Sequence, residues 1–404
     1  FGNHALRVLA GAVRHMPAST QTVTNEDAER ELVFVGLWGL VDPARPEAVE
    51  AIAQAREAGI RVVMITGDHA ATAAAIASKV GITRGDNPRA VTGMELDEMD
   101  DEQLGRTVAE VNVYARVSPS HKLRILRALK ARDQIVAMTG DGVNDAPALK
   151  GADIGVAMGA AGTEVAKEAA DMVLTDDNFA TIVHAVEEGR AIFSNLRRVV
   201  FFLITTNLGE ILTLVAALLI GLPLPLTAVM ILWINLVTDG ACTIPLGIEP
   251  RHGDVLKQPP RAPGSGVLNW TLLRRMMILA PVMALGTLGL FVYNLQIGTE
   301  ARAMTAAFTT LAAFQWFHAL NARTSRSSVF SVGLFGNPWI WLGIGVAAVL
   351  QVLTVHTTFG QSVFKTVPLT VLDWVTILAV SASILLLDEI LKRFGVHGRD
   401  PASA

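Results

Sequence analysis

Cysteine is almost absent from this 404-residue chain, in which Cys242 is the single example. One cysteine cannot form an internal disulfide, and it excludes a zinc cluster of the CxxC type. The chain also lacks a basic excess, since its formal net charge is −4. This balance excludes the electrostatic footprint of a nucleic-acid-binding protein, so nucleic acid is not an expected partner. Charged residues make up only 17% of the chain, against about 25% in a typical soluble protein.

The scarcity of charge is concentrated in the second half of the chain. Of the 70 Lys, Arg, Asp and Glu residues, 49 precede position 199 and 17 lie between positions 199 and 391. Six apolar stretches in that second half approach the roughly 20 residues that a helix needs to cross a bilayer. They lie at about 199–220, 226–248, 273–294, 303–321, 338–356 and 369–391. The sequence therefore predicts a soluble half followed by six transmembrane helices in contact with the lipid bilayer.

The positive charges between these stretches predict an orientation. The connector 249–275 carries five Lys or Arg residues and 322–337 carries two, whereas the opposite loops offer only Arg302 and Lys365. Cytoplasmic loops of membrane proteins are enriched in Lys and Arg. We therefore expect a multi-pass membrane protein, in a bacterial plasma membrane, with its soluble half and both chain ends in the cytoplasm.

Polar side chains interrupt the predicted spans at helical spacing. They are Asn207 and Glu210 in the first span and Asn235, Thr238 and Asp239 in the second. Each set shares one helix face. Ionisable groups are costly inside a bilayer, and carboxylate, amide and hydroxyl oxygens are the ligands of hard cations. The pattern predicts a cation site, to which Gln315 in the fourth span is a further candidate ligand; hydrogen bonding between helices is the alternative interpretation.

Short apolar runs alternate with helical segments in the first half. The runs lie at 32–41, 60–65, 111–115, 134–138, 153–157 and 171–174, and the helical segments lie near 46–58, 69–80, 119–132 and 178–197. This alternation is typical of an α/β fold with a doubly wound parallel sheet. In such folds the functional site lies at the carboxyl ends of the strands.

Two of these predicted strand ends carry glycine and aspartate together. One ends in Thr66-Gly67-Asp68, and the other in Thr139-Gly140-Asp141-Gly142 followed by Asn144 and Asp145. Glycine allows the backbone to approach an anion, and carboxylates hold Mg²⁺ through one or two oxygens. With Lys122 opening the helix between them, the loops predict a phosphoryl and magnesium site, although glycine and aspartate also favour ordinary turns.

These motifs resemble those of the P-type cation-transporting ATPases. The similarity rests on IRVVMITGD (60–68), NVYARVSPSHKLR (112–124), IVAMTGDGVNDAPALKG (134–150), NLGE (207–210) and WINLVTDG (233–240). Within the family the chain looks most like the calcium pump of the sarco/endoplasmic reticulum type. The resemblance implies a nucleotide-binding remnant at 1–30, a haloacid-dehalogenase-like phosphorylation domain at 31–198, six helices at 199–391 and a cytoplasmic tail at 392–404.

The resemblance also implies ATP as substrate, Mg²⁺ as cofactor and a role for individual residues. Asp141 and Asp145 would bind Mg²⁺, and Thr66, Lys122 and Asn144 would act on the phosphoryl group. The nucleotide side would comprise Arg7, Thr66, Gly67, Asp68, Arg116, Lys122 and Asn144. The transported ion would meet Asn207, Glu210, Asn235, Thr238, Asp239 and Gln315. Pumps of the reticulum type have a glutamate at the last of these positions, so this chain has one charge fewer there.

The family phosphorylates an aspartate in a DKTGT motif, which occurs nowhere in these 404 residues. We therefore expect the chain to be the C-terminal part of a pump whose N-terminal portion is its partner. Three alternatives remain open at this stage. The first is a non-catalytic membrane remnant or scaffold. The second is a membrane-anchored phosphatase with LVDPAR (40–45) as its nucleophile segment, and the third is a pump for Na⁺, Mg²⁺ or Mn²⁺.

We predict that the 404-residue chain alone forms no phosphoenzyme from ATP. It lacks the acceptor aspartate of the family motif, and Asp141 is expected to bind metal rather than to attack the phosphoryl group. The measurement is incubation of the purified chain with radiolabelled ATP, followed by an acid gel. An acid-stable, hydroxylamine-sensitive label on the chain would contradict the prediction.

Overall fold

A computed structural model describes residues 7–17, 24–40, 44–84, 88–325 and 327–394 of the chain. The chain divides into two compact units. The first comprises Phe1–Val186 with Leu256–Pro263, and the second comprises Glu187–Val255 with Gly264–Ala404. The first unit contains all the described strands, and the second contains the long apolar helices.

The first unit begins with a two-stranded antiparallel ribbon of β1 (Arg7–Val13) and β2 (Val33–Leu40), with the short helix α1 (Asn25–Ala28) between them. The register runs from Arg7 opposite Leu40 to Val13 opposite Val33. The sequence predicts the run 32–41 as a parallel strand, whereas the structure pairs it antiparallel. The reason is β1, an unpredicted apolar strand that lies close along the chain and supplies the backbone partners.

Two three-stranded parallel sheets form the core of the first unit. Their strands are β3 (Met64–Ile65), β4 (Ala90–Thr92), β5 (Val113–Ala115), β6 (Ala137–Gly140), β7 (Ile154–Met158) and β8 (Met172–Leu174). The strand orders are β3-β5-β4 and β6-β7-β8. Ile65 of the first sheet packs against the buried cluster around Met138 and Ala157 of the second. The predicted parallel α/β architecture is thus present, as two hydrogen-bonded ladders rather than one within the described residues.

Seven helices connect these strands. They are α2 (Pro46–Glu57), α3 (Ala70–Lys79), α4 (Gly93–Glu98), α5 (Asp101–Glu110), α6 (Pro119–Lys130), α7 (Ala146–Gly151) and α8 (Glu164–Ala169). Only α2, α3 and α6 correspond to predicted helices. The missed pair α4 and α5 each begin with a capping box, Thr92 with Glu95 and Asp100 with Gln103. Such a box satisfies backbone N–H groups at a helix start and is readable from sequence.

The remaining helices lie wholly or mainly in the second unit. They are α9 (Phe179–Leu219), α10 (Ala228–Trp233), α11 (Asp239–Gly247), α12 (Trp270–Ile297), α13 (Glu300–Ala322), α14 (Val329–Val332), α15 (Pro338–His356), α16 (Thr358–Phe364) and α17 (Val371–Arg393). A single π-helical turn, Ile234–Thr238, joins α10 to α11. The helix predicted at 178–197 and the span predicted at 199–220 are one continuous helix of 41 residues, α9, because no proline interrupts this segment.

Five helical segments in the described part of the chain are long and apolar enough to cross a membrane. They are α9, the segment Ala228–Gly247, α12, α15 and α17. The predicted number of six is therefore not confirmed. The predicted fourth span is α13, a helix of 23 residues whose Thr305, Thr309, Thr310, Gln315 and His318 lower its hydropathy. All five of these side chains are buried, because α13 packs against α12, α15 and α17.

A buried ion pair fastens three of these helices. Arg275 of α12 donates through Nε to Oδ1 of Asp388 in α17 at 2.6 Å, and its other nitrogens donate to the carbonyls of Asn321 and Thr324 at 3.0 and 3.1 Å. Lys392 lies 3.0 Å from the same carboxylate. The side chains of Arg275 and Asp388 are only 3% and 0% exposed. Asp388 therefore compensates Arg275 and shares Lys392 with Glu389, whose carboxylate lies 2.8 Å from the ammonium.

We predict that Asp388→Asn destabilises the chain by about 3–5 kcal/mol, because it leaves Arg275 buried without this counter-charge, whereas Lys392 keeps Glu389 at 2.8 Å. The control is Asp101→Asn, whose carboxylate pairs with Arg124 at 3.3 Å but is 96% exposed. A surface pair contributes about 0–1 kcal/mol. Thermal unfolding of the full chain in detergent measures both variants. Equal losses in the two variants would contradict the prediction.

Candidate functional site

The first candidate site lies at the carboxyl ends of β3 and β5. The N–H of Thr66 donates to the carbonyl of Tyr114 at 2.9 Å, and the N–H of Val117 donates to the carbonyl of Thr66 at 3.3 Å. The Thr66 hydroxyl accepts the N–H of Asp68 and donates to its carboxylate, both at 3.1 Å. These bonds set the Thr66 loop beside the segment that leads into α6.

Lys122 joins α6 to the loop that follows β6. Ser118 caps α6 by accepting the N–H of His121 at 3.3 Å, which fixes the first turn of the helix, where Lys122 lies. The ammonium of Lys122 lies 2.5 Å from Oδ1 of Asp145, and Oδ2 of Asp145 accepts the N–H of Gly142 at 3.3 Å. The structure thus brings Lys122 and the Asp141–Asp145 loop into contact, as the motifs predict.

Gly140 permits this close approach. A Cβ at position 140 would stand 2.5 Å from Cβ and 2.8 Å from Cγ of Asp145. Real Cβ atoms do not approach so closely, and Asp145 is buried at 5% exposure, so it cannot swing aside. The glycine of this TGD sequence is therefore required by packing against Asp145.

The carboxylates of this loop fit a magnesium ion. Asp141 and Asn144 are exposed at the strand end, whereas Asp145 is buried against Lys122. Mg²⁺ in proteins takes one or two carboxylates and keeps several waters. An exposed Asp141 with Asp145 close behind it matches that preference, so these two residues would hold the ion.

The residues predicted to face the nucleotide are only partly described. Gly67, Asp68 and Arg116 are exposed, and the N–H of Arg116 donates to the carbonyl of Asp68 at 3.1 Å. Arg7 begins β1, but its side chain lies outside the described residues. Positions 41–43 of the LVDPAR segment also lie outside them.

The second candidate site centres on Glu210 in α9. Its Oε2 accepts from Nδ2 of Asn235 at 3.1 Å, and its Oε1 accepts from Nε2 of Gln315 in α13 at 3.3 Å. Glu210 and Gln315 are 4% and 0% exposed. One buried carboxylate therefore contacts two other helical segments, and Gln315 faces the predicted cation site.

Three other predicted ligands lie in the π turn or directly after it. Asn235 and Thr238 lie within it, and Asp239 begins α11. Turns of this kind occur often at functional sites. The turn could not be predicted from the sequence, because the spacing of these side chains also fits an ordinary α-helix.

Two buried oxygens at this site lack partners. Asp239 Oδ1 and Gln315 Oε1 have no hydrogen bond. Buried polar atoms without partners are uncommon, and an ion is one explanation of them. Asn207, in contrast, donates to the carbonyl of Leu203 in its own helix at 2.7 Å. In the described part of the chain, no group of three or more His, Cys, Asp and Glu residues is arranged for a metal, so amide and hydroxyl oxygens would have to complete the site.

Asp177, which follows β8, was not among the residues predicted from the sequence. Its carboxylate accepts the backbone N–H groups of Gly159, Ala160 and Ala161 at 2.6, 3.0 and 2.7 Å. These three hydrogen bonds lower the pKa of Asp177 below its usual value, and the bond from the N–H of Ala161 has the largest effect. The signal in the sequence is an aspartate pair directly after an apolar strand.

Comparison with known proteins divides the chain in the same way. Residues 223–394 match a family model described as the C-terminus of cation transporting ATPases. Residues 5–153 and 122–186 match two models that are each described as haloacid dehalogenase-like hydrolase. The haloacid-dehalogenase-like fold predicted for the first half is therefore confirmed.

Similar proteins match almost the whole chain. The calcium-transporting ATPase of Bacillus subtilis is 43% identical, over 97% of this chain and 44% of its own length. Calcium-transporting ATPase 1 of Saccharomyces cerevisiae is 41% identical, over 97% and 42%. The probable cation-transporting ATPase F of Mycobacterium tuberculosis is 41% identical, over 97% and 44%. The chain spans less than half the length of these relatives, and its second half is similar to the C-terminal part of cation transporting ATPases.

Proposed function

We propose that this chain is the C-terminal part of a pump that uses ATP to move Ca²⁺ across a membrane through an aspartyl-phosphate cycle. The observation that carries the proposal is the buried Glu210 carboxylate, shared between Asn235 and Gln315. The same chain holds a haloacid-dehalogenase-like part with polar groups at its strand ends. The names of two relatives, both calcium-transporting ATPases, support the choice of ion.

In the phosphoryl site, each residue has an electrostatic task. Phosphoryl transfer depends on positioning and on neutralising the charge of the transferred group. Lys122 supplies a positive charge whose position is fixed by Asp145. Thr66 would offer its hydroxyl to a phosphoryl oxygen, and the exposed Asn144 would lie close to the phosphate. When bound by Asp141 and Asp145, Mg²⁺ would neutralise further charge on that group.

The nucleotide-binding side of this proposal rests on exposed residues. Gly67, Asp68 and Arg116 surround the turn after β3 and offer backbone and charged groups to the nucleotide. Arg7 is assigned to this side by its place in the family pattern alone. We further propose that the N-terminal portion of the pump, with the acceptor aspartate, is the partner of this surface.

In the cation site, the count of charges favours one bound Ca²⁺. Glu210 and Asp239 together carry two negative charges when ionised, which balance one divalent cation. Asn207, Asn235, Thr238 and Gln315 add neutral oxygens, and Ca²⁺ accepts six to eight oxygens of these kinds. The unpartnered Oδ1 of Asp239 supports a ligand at this place, whereas an unpartnered Oε1 is found on Gln351 as well as on Gln315 and is not specific to this site.

The proposed topology has six spans. It adds α13 to the five apolar segments, since α13 is long enough and its polar groups are covered by neighbouring helices. The excess of Lys and Arg in 249–275 and 322–337 supports a cytoplasmic position for the α/β part and for both chain ends.

The test is a chimaera in which this chain replaces the matching C-terminal part of the Bacillus subtilis relative. We expect Ca²⁺-dependent phosphoenzyme and ATP-driven Ca²⁺ uptake into inverted membrane vesicles. ATP-driven uptake of Na⁺, Mg²⁺ or Mn²⁺ in place of Ca²⁺ would assign another transported ion. A folded chimaera with no phosphoenzyme under any of these cations would contradict the pump.

We predict that Asp141→Ala in this chimaera lowers phosphoenzyme to below about 1% of the unaltered level, because it removes a metal carboxylate from a step dominated by charge. Glu168→Ala, an exposed carboxylate in α8, is the control and is expected to change nothing. Acid-stable label from radioactive ATP is the measurement. A normal level in Asp141→Ala would remove Asp141 from the metal site.

We predict that Gln315→Glu strengthens Ca²⁺ binding by about tenfold or adds a second bound ion, since affinity rises with ligand charge in an oxygen cage. Gln351→Glu is a matched control. Gln351 is a fully buried glutamine of α15 that donates to Thr309 at 3.3 Å, away from Glu210. Ca²⁺-dependent phosphorylation and bound ⁴⁵Ca measure both variants. An equal gain in the control, or no gain in Gln315→Glu, would contradict the assignment of Gln315 as a ligand.

A further inference from the structure

Two loops at the edge of the parallel sheets are connected by a backbone hydrogen bond. The loop 159–163 follows β7, and its Thr163 donates its N–H to the carbonyl of Asp141 at 2.8 Å. The peptide of Asp141 is therefore held by a neighbouring loop in addition to its own strand. This hydrogen bond couples the position of the Asp141 carbonyl to the shape of loop 159–163.

Loop 159–163 is held at its two ends by backbone hydrogen bonds and between them by Asp177. At the first end, the N–H of Gly159 also donates to the carbonyl of Leu174 at 2.8 Å. The sequence of the loop is Gly-Ala-Ala-Gly-Thr, so its first four residues have no side chain that can form a hydrogen bond. The carboxylate of Asp177 accepts three consecutive N–H groups, those of residues 159, 160 and 161. Consecutive N–H groups that converge in this way form an anion-binding concavity. Here a side chain of the same unit fills it.

The backbone of Asp177 is itself under constraint. Its φ is +49°, in the left-handed region that few residues other than glycine adopt. Its carbonyl accepts Nη1 of Arg45, which precedes α2, at 3.1 Å. Conformations of this kind persist where the surroundings determine them strongly. Asp177 is thus fixed from both its backbone and its side chain.

We propose that Asp177 is a positioning residue for the phosphoryl site: its carboxylate holds loop 159–163 in the shape that fixes the Asp141 peptide and so aims the Asp141 carboxylate at Mg²⁺. This inference rests on the proposed function, because it assumes that Asp141 is a magnesium ligand. Asp177 itself touches neither the metal nor the phosphoryl group. Partners that orient a metal ligand in this way typically contribute about 10–100-fold to metal affinity.

The adjacent residue supplies a matched control. Asp176 is also an aspartate before α9, but it accepts the N–H of Asn178 at 3.1 Å and the hydroxyl of Thr181 at 2.6 Å. These bonds order the start of the helix and do not involve loop 159–163. Asp176→Ala therefore removes an equal charge and a similar number of hydrogen bonds without releasing the loop.

The first experiment needs no catalytic activity. Mn²⁺, detected by electron paramagnetic resonance, replaces Mg²⁺ as a probe of the full 404-residue chain, and Asp141→Ala defines the binding that belongs to this site. We expect Asp177→Ala to weaken that binding by about tenfold or more, with Asp177→Asn intermediate because it keeps one acceptor oxygen. Amide exchange of residues 159–163 should accelerate in the same order, and Asp176→Ala should leave both measurements unchanged.

The second experiment uses the chimaera with the Bacillus subtilis relative. Asp177→Ala should raise the Mg²⁺ concentration for half-maximal phosphorylation by about tenfold at saturating ATP, while the half-saturating ATP concentration stays unchanged at saturating Mg²⁺. An unaltered Mg²⁺ dependence, or an equal shift in Asp176→Ala, would overturn the role of Asp177. An unaltered chimaera that forms no phosphoenzyme would count against the proposed function instead, and the Mn²⁺ titration would still decide the inference.

Discussion

Polar helix α13 can exist inside an apolar bundle only if other helices enclose it, and this constraint organises the second unit. Its threonines, glutamine and histidine are buried, since exposing them to lipid would be costly. The ion pair between Arg275 and Asp388 fastens the neighbouring helices to one another and to the end of α13. The same enclosure excludes water from Glu210. In such a low-dielectric place, a carboxylate interacts more strongly with a cation than it does in water.

The α/β unit also contains a charged side chain that a buried partner holds in a fixed position. Asp145 is buried beside Lys122, so the lysine charge is held in place before any substrate binds. Preorganised charge of this kind needs no rearrangement during a reaction, which is why it is effective in phosphoryl transfer. Asp141, in contrast, stays exposed and available to a metal. Two aspartates four residues apart thus differ in exposure, and Gly140 leaves the space in which Asp145 folds back against the strand.

Much of this organisation could be predicted from the sequence where a residue type has few alternative uses. Glycine-aspartate pairs after β-branched runs indicated the strand-end loops, and carboxylates within apolar stretches indicated Glu210 and Asp239. The pairing of β1 with β2 could not be predicted, because strand partners depend on long-range contacts. Asp177 was not predicted for a similar reason, because its hydrogen-bond donors are backbone N–H groups of three residues, Gly159, Ala160 and Ala161, that carry no polar side chain. The π turn cannot be recognised from the sequence, because Asn235, Thr238 and Asp239 have the i, i+3, i+4 sequence spacing of an ordinary α-helix.

The π turn also determines how the second span tolerates changes in length. A π turn contains one residue more than an α-helical turn, and each residue of an α-helix advances the chain by about 100° around the axis. Deleting one residue from Ile234–Thr238 would therefore let the segment close into an uninterrupted α-helix. Side chains beyond the deletion would stay close to their original faces, because the π turn had accommodated the extra residue locally. After deletion of Leu236 or Val237, Asp239 would follow Asn235 by three residues instead of four, a spacing that still shares one face of an α-helix, so the loss would fall on the wide turn itself and not on the order of the ligands.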